Sequence, residues 1–267
     1  MGNLAKALTV AGSDSGGGAG IQADLKTFHQ FHVYGMSALT AVTAQNTLGV
    51  HGVYPLPAEA VANQMQQVIE DLGVDAMKTG MLFNVEIIEA VAEQIRQHQV
   101  KNVVVDPVMI AKGGAKLLLD EAVKAIVEKL LPYTLIVTPN LPEAEHLTGR
   151  PIRNVAEMKE AAKAIVAMGA KHVVMKGGHL PADEIVDLLY DGEQFFTFVH
   201  QRVNTQHTHG TGCTFSAALT AELAKGSTVY EAMERANRFI IEAIATAPGI
   251  GRGHGPTNHW AAIKLSI

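Results

Sequence analysis

The stretch His209-Gly210-Thr211-Gly212-Cys213-Thr214 stands directly before the apolar run Phe215-Ser216-Ala217-Ala218-Leu219. Two glycines separated by a small hydroxyl residue let the backbone turn tightly, so that several N–H groups point the same way. The apolar run predicts that a helix begins here, and the unpaired N–H groups and positive dipole end of its first turn then face the same point. The stretch therefore predicts an anion hole formed by Gly210, Thr211, Gly212 and Cys213, whose natural occupant is a phosphate.

Cys213 is the chain's single cysteine and lies on the rim of this predicted anion hole. Positive potential at such a position favours the thiolate. The same residues also fit a glycine-containing turn before an ordinary helix, with Cys213 as a small buried side chain. Both interpretations stay open on these local features alone.

The length fits one large α/β domain or, less well, two small ones, and the composition fits a soluble globular protein. The chain has 267 residues, of which 48% are hydrophobic and 18% charged. This is enough to bury a sizeable core, and we expect a single domain over residues 1–267. The net charge is −5 and no run of Lys or Arg is present, which argues against a nucleic-acid partner.

The sequence also indicates a compartment. A single cysteine excludes an intramolecular disulfide and a thiolate zinc cluster, and it fits a reducing environment. Residues 1–10 carry too short an apolar run for a signal peptide, and no apolar segment approaches the roughly 18–20 residues of a membrane span. We expect a cytoplasmic protein with no membrane partner.

Strand patterns alternate with helix patterns along the chain. Strands are predicted at residues 7–11, 37–46, 50–55, 75–79, 103–105, 135–137, 172–176, 185–190 and 195–199. Helices are predicted after Gly20, at 58–72, after Asn84, from Asp120 to Pro132, from Pro142, from Asn154 to Gly169, at 212–224 and at 228–247. Asp191-Gly192 is a hairpin signal between the last two strands. This alternation predicts a mostly parallel sheet with helices on both faces.

Polar residues follow several of the predicted strands. Asp106, Asn140 and Lys176 each stand at or just after a strand end, which is where ligands bind in such sheets. Each also has a plain structural explanation: Asp106 as a strand-ending turn, Asn140 with Glu143 as a helix cap, and Lys176 as a solvated loop residue. The predicted anion hole follows the last strands and is a fourth such site, and four coincidences in one chain favour a functional site.

Together these residues predict phosphoryl transfer. Asp106 and Glu143 can hold Mg²⁺ directly or through water, because magnesium prefers a few carboxylate oxygens with water. Lys176 can oppose a phosphate, and the amides from Gly210 to Cys213 can hold charge on the transferred group. The chain lacks a Walker motif and the glycine spacing of a dinucleotide site, so a nucleotide would be held by another architecture.

Seven segments carry a resemblance to a known family. They read AGSDSGGGAGIQADLK at 11–26, VTAQNT at 42–47, KTGM at 78–81, DPVM at 106–109, TPNLPEA at 138–144, KGGH at 176–179 and THGTGCT at 208–214. In this order they resemble the hydroxymethylpyrimidine/phosphomethylpyrimidine kinases of thiamin biosynthesis, within the ribokinase-like superfamily. The resemblance implies a three-layer α/β sandwich with a mostly parallel central sheet and a small flap at residues 110–116.

The resemblance also implies an activity and its partners. ATP would phosphorylate 4-amino-5-hydroxymethyl-2-methylpyrimidine and then its monophosphate, with Mg²⁺ as cofactor, and relatives suggest a homodimer. The main rival is a pyridoxal or pyridoxine kinase, or an enzyme that performs both reactions. A non-catalytic pyrimidine-binding protein on the same fold is a further alternative.

Roles for individual residues follow from the same resemblance. The implied substrate-binding residues are Gly12, Asp24, Val42, Gln45 and Met81. The implied nucleotide-binding residues are Asn140, Lys176 and Thr208, while Asp106 and Glu143 belong to the magnesium and phosphate network. Gln45 would read the aminopyrimidine edge, since one amide offers both a donor and an acceptor. From the sequence alone, Gln45 also fits a strand-end polar residue, Met81 core packing and Asp24 a solvated acid.

Ribokinase-type sugar kinases carry an aspartate base at the position of Cys213. The pyrimidine kinases and some pyridoxal kinases have a cysteine there, as this chain does. A thiol in an anion hole could take the proton of the substrate alcohol, whereas a phosphate monoester is already ionised at neutral pH. We therefore expect Cys213 to matter more for the first phosphorylation than for the second; equal effects would favour a positional role.

Two further features stay open. His207 and His209 form a His-x-His pair, but without a third nearby ligand a structural or phosphate-facing role is favoured over a transition-metal site. The glycine-rich segment 251–255 fits either a flexible tail or a segment packed near the nucleotide.

Overall fold

The computed structural model describes residues 4–109 and 120–262, which form a nine-stranded sheet flanked by helices. The strands in these ranges are β1 (Lys6–Asp14), β2 (Tyr34–Asn46), β3 (Gly49–Pro55), β4 (Ala76–Thr79), β5 (Val103–Val105), β6 (Ile136–Val137), β7 (His172–Met175), β8 (Glu184–Tyr190) and β9 (Phe195–Gln201). The helices are α1 (Gly20–Gln30), α2 (Ala58–Asp71), α3 (Val85–Gln97), α4 (Asp120–Ala125, continued by a π turn and a 3₁₀ turn), α5 (Leu141–Thr148), α6 (Val155–Ala167), α7 (Thr211–Ala224) and α8 (Val229–Ala245).

The sheet is parallel in its centre and antiparallel at both edges. Its strand order is β3-β2-β1-β4-β5-β6-β7-β8-β9. Neighbours from β2 to β7 pair in parallel, whereas the β2/β3, β7/β8 and β8/β9 pairs are antiparallel. The carboxyl ends of the central strands therefore meet at one edge of the sheet, where loops can build a ligand site.

Helices cover both faces of the sheet, which confirms the predicted three-layer architecture. Alternation within β5 demonstrates it: Val103 and Val105 pack into one apolar cluster and Val104 into the other. Helices α2, α3, α5 and α6 belong to the first cluster, and α1, α7 and α8 to the second. A strand buried on both faces reads as a continuous apolar run.

β1 is longer than predicted. The expected strand ended at Ala11, because a glycine-rich segment follows it, but β1 continues to Asp14 beyond a register shift between Ala11 and Ser13. The extension pairs Ser13 and Asp14 with Val42 and Thr43 of β2. Pairing with the long neighbouring strand thus overrides the local glycine signal and extends β1 to Asp14.

Two further expectations concern the flap and membrane-spanning helices. The flap expected at residues 110–116 falls outside the described residues. Among the residues that are described, none of the helices is both long and apolar enough to cross a membrane.

Candidate active site

A cavity of about 1090 Å³ opens at the carboxyl ends of the parallel strands. It is lined by most of the predicted site residues, which come from distant parts of the chain: Gly12, Gln45, Met81, Asp106, Asn140, Glu143, Lys176, Thr208, Gly210, Thr211, Gly212 and Cys213. The topology brings them together, because each one lies near or after the carboxyl end of a strand that ends at this edge.

The predicted anion hole is formed by the first turn of α7. Gly210 is the N-cap residue, in the left-handed conformation with φ 76°, and a side chain there would collide with the Gly18 carbonyl. The first intrahelical hydrogen bond runs from the Thr214 N–H to the Gly210 carbonyl, at 2.8 Å. The N–H groups of Gly212 and Cys213 precede any intrahelical acceptor and point toward the cavity end of the helix.

A buried hydrogen bond fastens this loop to the loop after β1. His209 Nε2 lies 2.8 Å from Asp14 Oδ2, and both side chains are almost fully buried. Asp14 also accepts hydrogen bonds from the N–H groups of Gly16, Gly18 and Ala19. Burial raises the pKa of Asp14, but the hydrogen bond and charge of His209 together with these amides lower it by more, so the net shift is downward. His209 is therefore a structural clamp on the anion hole.

Asp106 and Lys176 form the charged centre of the cavity. Lys176 Nζ donates to Asp106 Oδ1 at 3.1 Å, and Thr138 and Ser216 also donate to this carboxylate. Although burial raises the pKa of Asp106, the charges of Lys176 and Lys78 lower it more, so the carboxylate is ionised. Lys176 is thus a charged residue inside the cavity and not a solvated loop lysine.

Asn140 and Glu143 have two roles that the sequence left as alternatives. They form a reciprocal capping box at the start of α5, with bonds of 2.8 and 2.9 Å, and both also line the cavity. Burial raises the pKa of Glu143 to about 7; Lys176 lowers it in part and the negative charge of Asp106 raises it again.

This donor set fits a hydrated divalent cation. Asp106 and Glu143 are two buried carboxylates that repel each other on one cavity wall, and a cation beside them would relieve that repulsion. Within the described residues, three or more His, Cys, Asp or Glu side chains do not cluster as a protein-only metal cage. Magnesium suits this pattern because it keeps several waters and needs few carboxylates.

The expected thiolate at Cys213 is wrong for the protein without ligands. Burial raises the pKa of Cys213 to about 12, even though the nearby ammonium of Lys78 lowers it. The helix dipole and the anion hole do not offset the loss of water around the sulfur. Cys213 is therefore a protonated thiol at neutral pH, at the cavity wall.

Asp24 is not placed as predicted. The resemblance put it beside the substrate, but it does not line the cavity and is fully buried beneath it. Its Oδ1 lies 2.7 Å from Lys78 Nζ, and Thr9 donates to its other oxygen at 2.6 Å. Asp24 is therefore neither a solvated acid nor a wall residue, but half of a buried ion pair.

Lys78 is the residue that the sequence reasoning missed. It lies in β4 with no exposed surface, and its charge acts on both Cys213 and Asp106. Burial lowers the pKa of Lys78, but the carboxylates of Asp24 and Asp106 raise it by more, so the net shift is upward. The available signal was a lysine directly after the apolar pair Ala76-Met77, in the strand that leads to Gly80 and Met81.

The other end of the cavity carries the remaining predicted substrate residues. Gln45, Gly12 and Met81 line it, and a side chain at Gly12 would collide with the Met81 methyl group. Val42 does not line the cavity and is 43% exposed. Successive residues of a strand point to opposite faces, so Thr43 and Gln45 face the cavity while Val42 points away.

The structure also shows the surroundings of the His207/His209 pair and of the glycine-rich segment 251–255. His207 accepts from the Gly255 N–H while His209 binds Asp14, so the pair does not converge on a metal. The segment 251–255 packs against the loop after β2, where Gly253 and His254 donate to the Thr47 hydroxyl and carbonyl. It thereby links the Gln45 loop to the anion-hole loop.

Comparison with known proteins identifies relatives along almost the whole chain. A family model described as phosphomethylpyrimidine kinase matches residues 14–258. The hydroxymethylpyrimidine/phosphomethylpyrimidine kinase of Bacillus subtilis is 58% identical, covering 99% of this chain and 98% of that protein. The thiamine biosynthesis bifunctional protein of Geobacter sulfurreducens is 53% identical, covering 96% of this chain and 52% of that longer protein.

A solved structure shares the fold closely. The pyridoxal kinase of Staphylococcus aureus in complex with AMP-PCP and pyridoxal has a TM-score of 0.91 and 41% identity, covering 97% of this chain and 95% of that one.

Proposed function

Because the chain belongs to the phosphomethylpyrimidine kinase family, we propose that it transfers the terminal phosphoryl group of ATP to 4-amino-5-hydroxymethyl-2-methylpyrimidine. The resulting monophosphate is then the acceptor of a second phosphoryl group, which gives the diphosphate used in thiamin biosynthesis. The observation that supports this best is a single cavity with Gln45 at one end and the α7 anion hole beside Lys176 at the other.

The nucleotide is assigned to the anion-hole end. Lys176, Asn140 and Thr208 line this part of the cavity. The ammonium of Lys176 can neutralise phosphate charge when the nucleotide binds. Asp106 and Glu143 would hold Mg²⁺, which supplies neutralisation of phosphate charge when bound. The N–H groups of Gly212 and Cys213 hold the negative charge that develops on the transferred group.

The pyrimidine is assigned to the Gln45 end. The Gln45 amide can accept from and donate to the aminopyrimidine edge, and Met81 and Gly12 supply a flat apolar wall. In this proposed arrangement the substrate hydroxymethyl group would point toward Cys213 and the anion hole.

The product of the reaction tests the proposal. We expect the purified protein with MgATP and the pyrimidine alcohol to give first the monophosphate and then the diphosphate, resolved by ³¹P NMR. Tight pyrimidine binding without formation of ADP would instead support a non-catalytic binding protein.

Pyridoxal is the rival substrate, since a related pyridoxal kinase has the same fold. Steady-state rates on both alcohols, measured with the same enzyme and MgATP, discriminate the two. We expect the higher kcat/KM for the pyrimidine because of Gln45; a much higher kcat/KM for pyridoxal would overturn the assignment.

Gly212→Ala tests the anion hole. The new methyl group would lie 3.4 Å from Lys176 Nζ and 3.5 Å from Asp106 Oδ2, inside the space that the phosphoryl group needs. We expect kcat to fall on the order of 10²-fold, comparable to the loss of one oxyanion donor. Alanine is the better helix former by roughly 0.5–1 kcal/mol, so the urea unfolding midpoint should hold or rise. A fall in both quantities would indicate misfolding and not a blocked hole.

The assembly and location of the protein complete the proposal. Apolar side chains are exposed on the β2–β3 edge, with Tyr54 at 63%, Leu48 at 58% and Val42 at 43% exposure. An edge strand with such a surface favours pairing, which supports a homodimer that light scattering would detect. The single cysteine supports a reducing, cytoplasmic location.

A further inference from the structure

A buried carboxylate in β8 joins three parts of the nucleotide end of the molecule. Asp187 is 8% exposed and lies in none of the motifs that mark the family resemblance. Its Oδ1 accepts from the Gly177 N–H at 2.8 Å. Its Oδ2 lies 3.3 Å from His200 Nε2 in β9 and accepts from Asn237 of α8 at 3.2 Å.

The Gly177 bond fixes the loop that carries Lys176. The Lys176 N–H donates to the Pro139 carbonyl, and the next N–H is held by Asp187. A side chain at Gly177 would collide with the Val186 carbonyl, so the loop lies flat against β8. Asp187 therefore helps to set the direction in which Lys176 enters the cavity.

The contact between Asp187 and His200 holds the imidazole ring of His200 in the cavity wall. His200 lines the cavity together with Lys176, Arg202 and His179. The sheet order puts β9 at one edge, whereas β2, which carries Gln45, is next to the strand at the other edge. His200 therefore lies on the nucleotide side and away from the pyrimidine.

The charged groups around His200 favour its protonated form. Burial lowers the pKa of His200, but the hydrogen bond and charge of Asp187 raise it by more, and Arg202 opposes them weakly. The guanidinium of Arg202 is directed to the carbonyls of Gly178, Leu180 and Ala182. From α5, Glu143 and His146 line the same cavity, as do Lys176 and His179 beyond β7.

We propose that Asp187 is a positioning residue that orients the Lys176 loop and holds His200 as an imidazolium facing the anionic nucleotide. The proposal rests on the proposed kinase function, since it assigns the bound anion as a nucleoside di- or triphosphate. His200 adds a positive charge that is present at low pH and lost as the pH rises. Asp187 extends the pH range in which that charge is present.

ADP binding measured by calorimetry from pH 5.5 to 9 tests this. In the wild type, affinity should fall about tenfold as the imidazolium is lost, as for a hydrogen bond to a charged group. Asp187→Asn keeps an oxygen for the Gly177 N–H but removes the charge. We expect it to move this fall to lower pH, because the hydrogen bond and charge of Asp187 raise the pKa of His200. In His200→Asn the fall should shrink to the part that ionisation of Glu143 causes in the same cavity.

Asp191→Asn is the matched control, because Asp191 caps the turn of the same hairpin and does not line the cavity. It should leave the pH profile unchanged. A profile that is the same in Asp187→Asn as in the wild type would overturn the proposal, and so would a fall in His200→Asn as large as in the wild type. A wild type that binds no ADP at any pH would instead refute the kinase function itself.

Discussion

Cys213→Ala is expected to slow phosphorylation of the pyrimidine alcohol by about 10²- to 10⁴-fold, the usual range for a lost general base. Phosphorylation of the monophosphate should fall far less, because its nucleophile is an ionised phosphate that needs no base. Both rates are measured with one protein preparation and one nucleotide. The second reaction therefore serves as the internal control for folding and for ATP binding.

The pH dependence of the first reaction sharpens this test. With a pKa of about 12 for Cys213, the thiolate fraction rises about tenfold for each pH unit through the neutral range. If the thiolate takes the alcohol proton, kcat/KM for the alcohol should still climb in the wild type from pH 8 to 9, above the titration of Glu143, and this climb should be absent in Cys213→Ala. Equal losses in both reactions, or a flat wild-type profile, would reduce Cys213 to a positional role.

The sequence predicted the fold well because its signals are local and repeated. Val103-Val104-Val105 reads as a strand buried on both faces, and each residue packs as that pattern requires. Asn154 was expected to cap a helix, and its side chain accepts from the Glu157 N–H at 2.9 Å. The end of β1 was missed because pairing with the long strand β2 decides it, and no local pattern encodes a partner's length.

The site was predicted in part for the same reason. Gly210, Asn140 and Lys176 stand at strand ends or helix starts, so that topology alone brings them to the cavity. Val42 was misplaced because the orientation of one strand residue depends on register. Asp24 was misplaced, and Lys78 overlooked, because an ion pair between α1 and β4 is a tertiary contact that neither segment reveals alone.

The buried Lys78–Asp24 pair should be the most sensitive point of the fold. Lys78→Met leaves Asp24 without its cation in a site with no exposed surface. We expect the free energy of unfolding to fall by about 3–5 kcal/mol, the cost of breaking a buried pair by removing one partner. Urea titration measures it. Lys163→Met is the control, because its pair with Glu160 is exposed, and it should change nothing measurable.

The double variant Lys78→Met/Asp24→Leu separates stability from function. Replacing both charges by apolar side chains removes the uncompensated carboxylate, so most of the lost stability should return. Kinase activity should not return with it, because the charge of Lys78 acts on Asp106 and Cys213 at the cavity wall. A double variant that regains stability and full activity would show that the pair is only structural. A Lys78→Met protein as stable as the wild type would show that Asp24 is neutral without it.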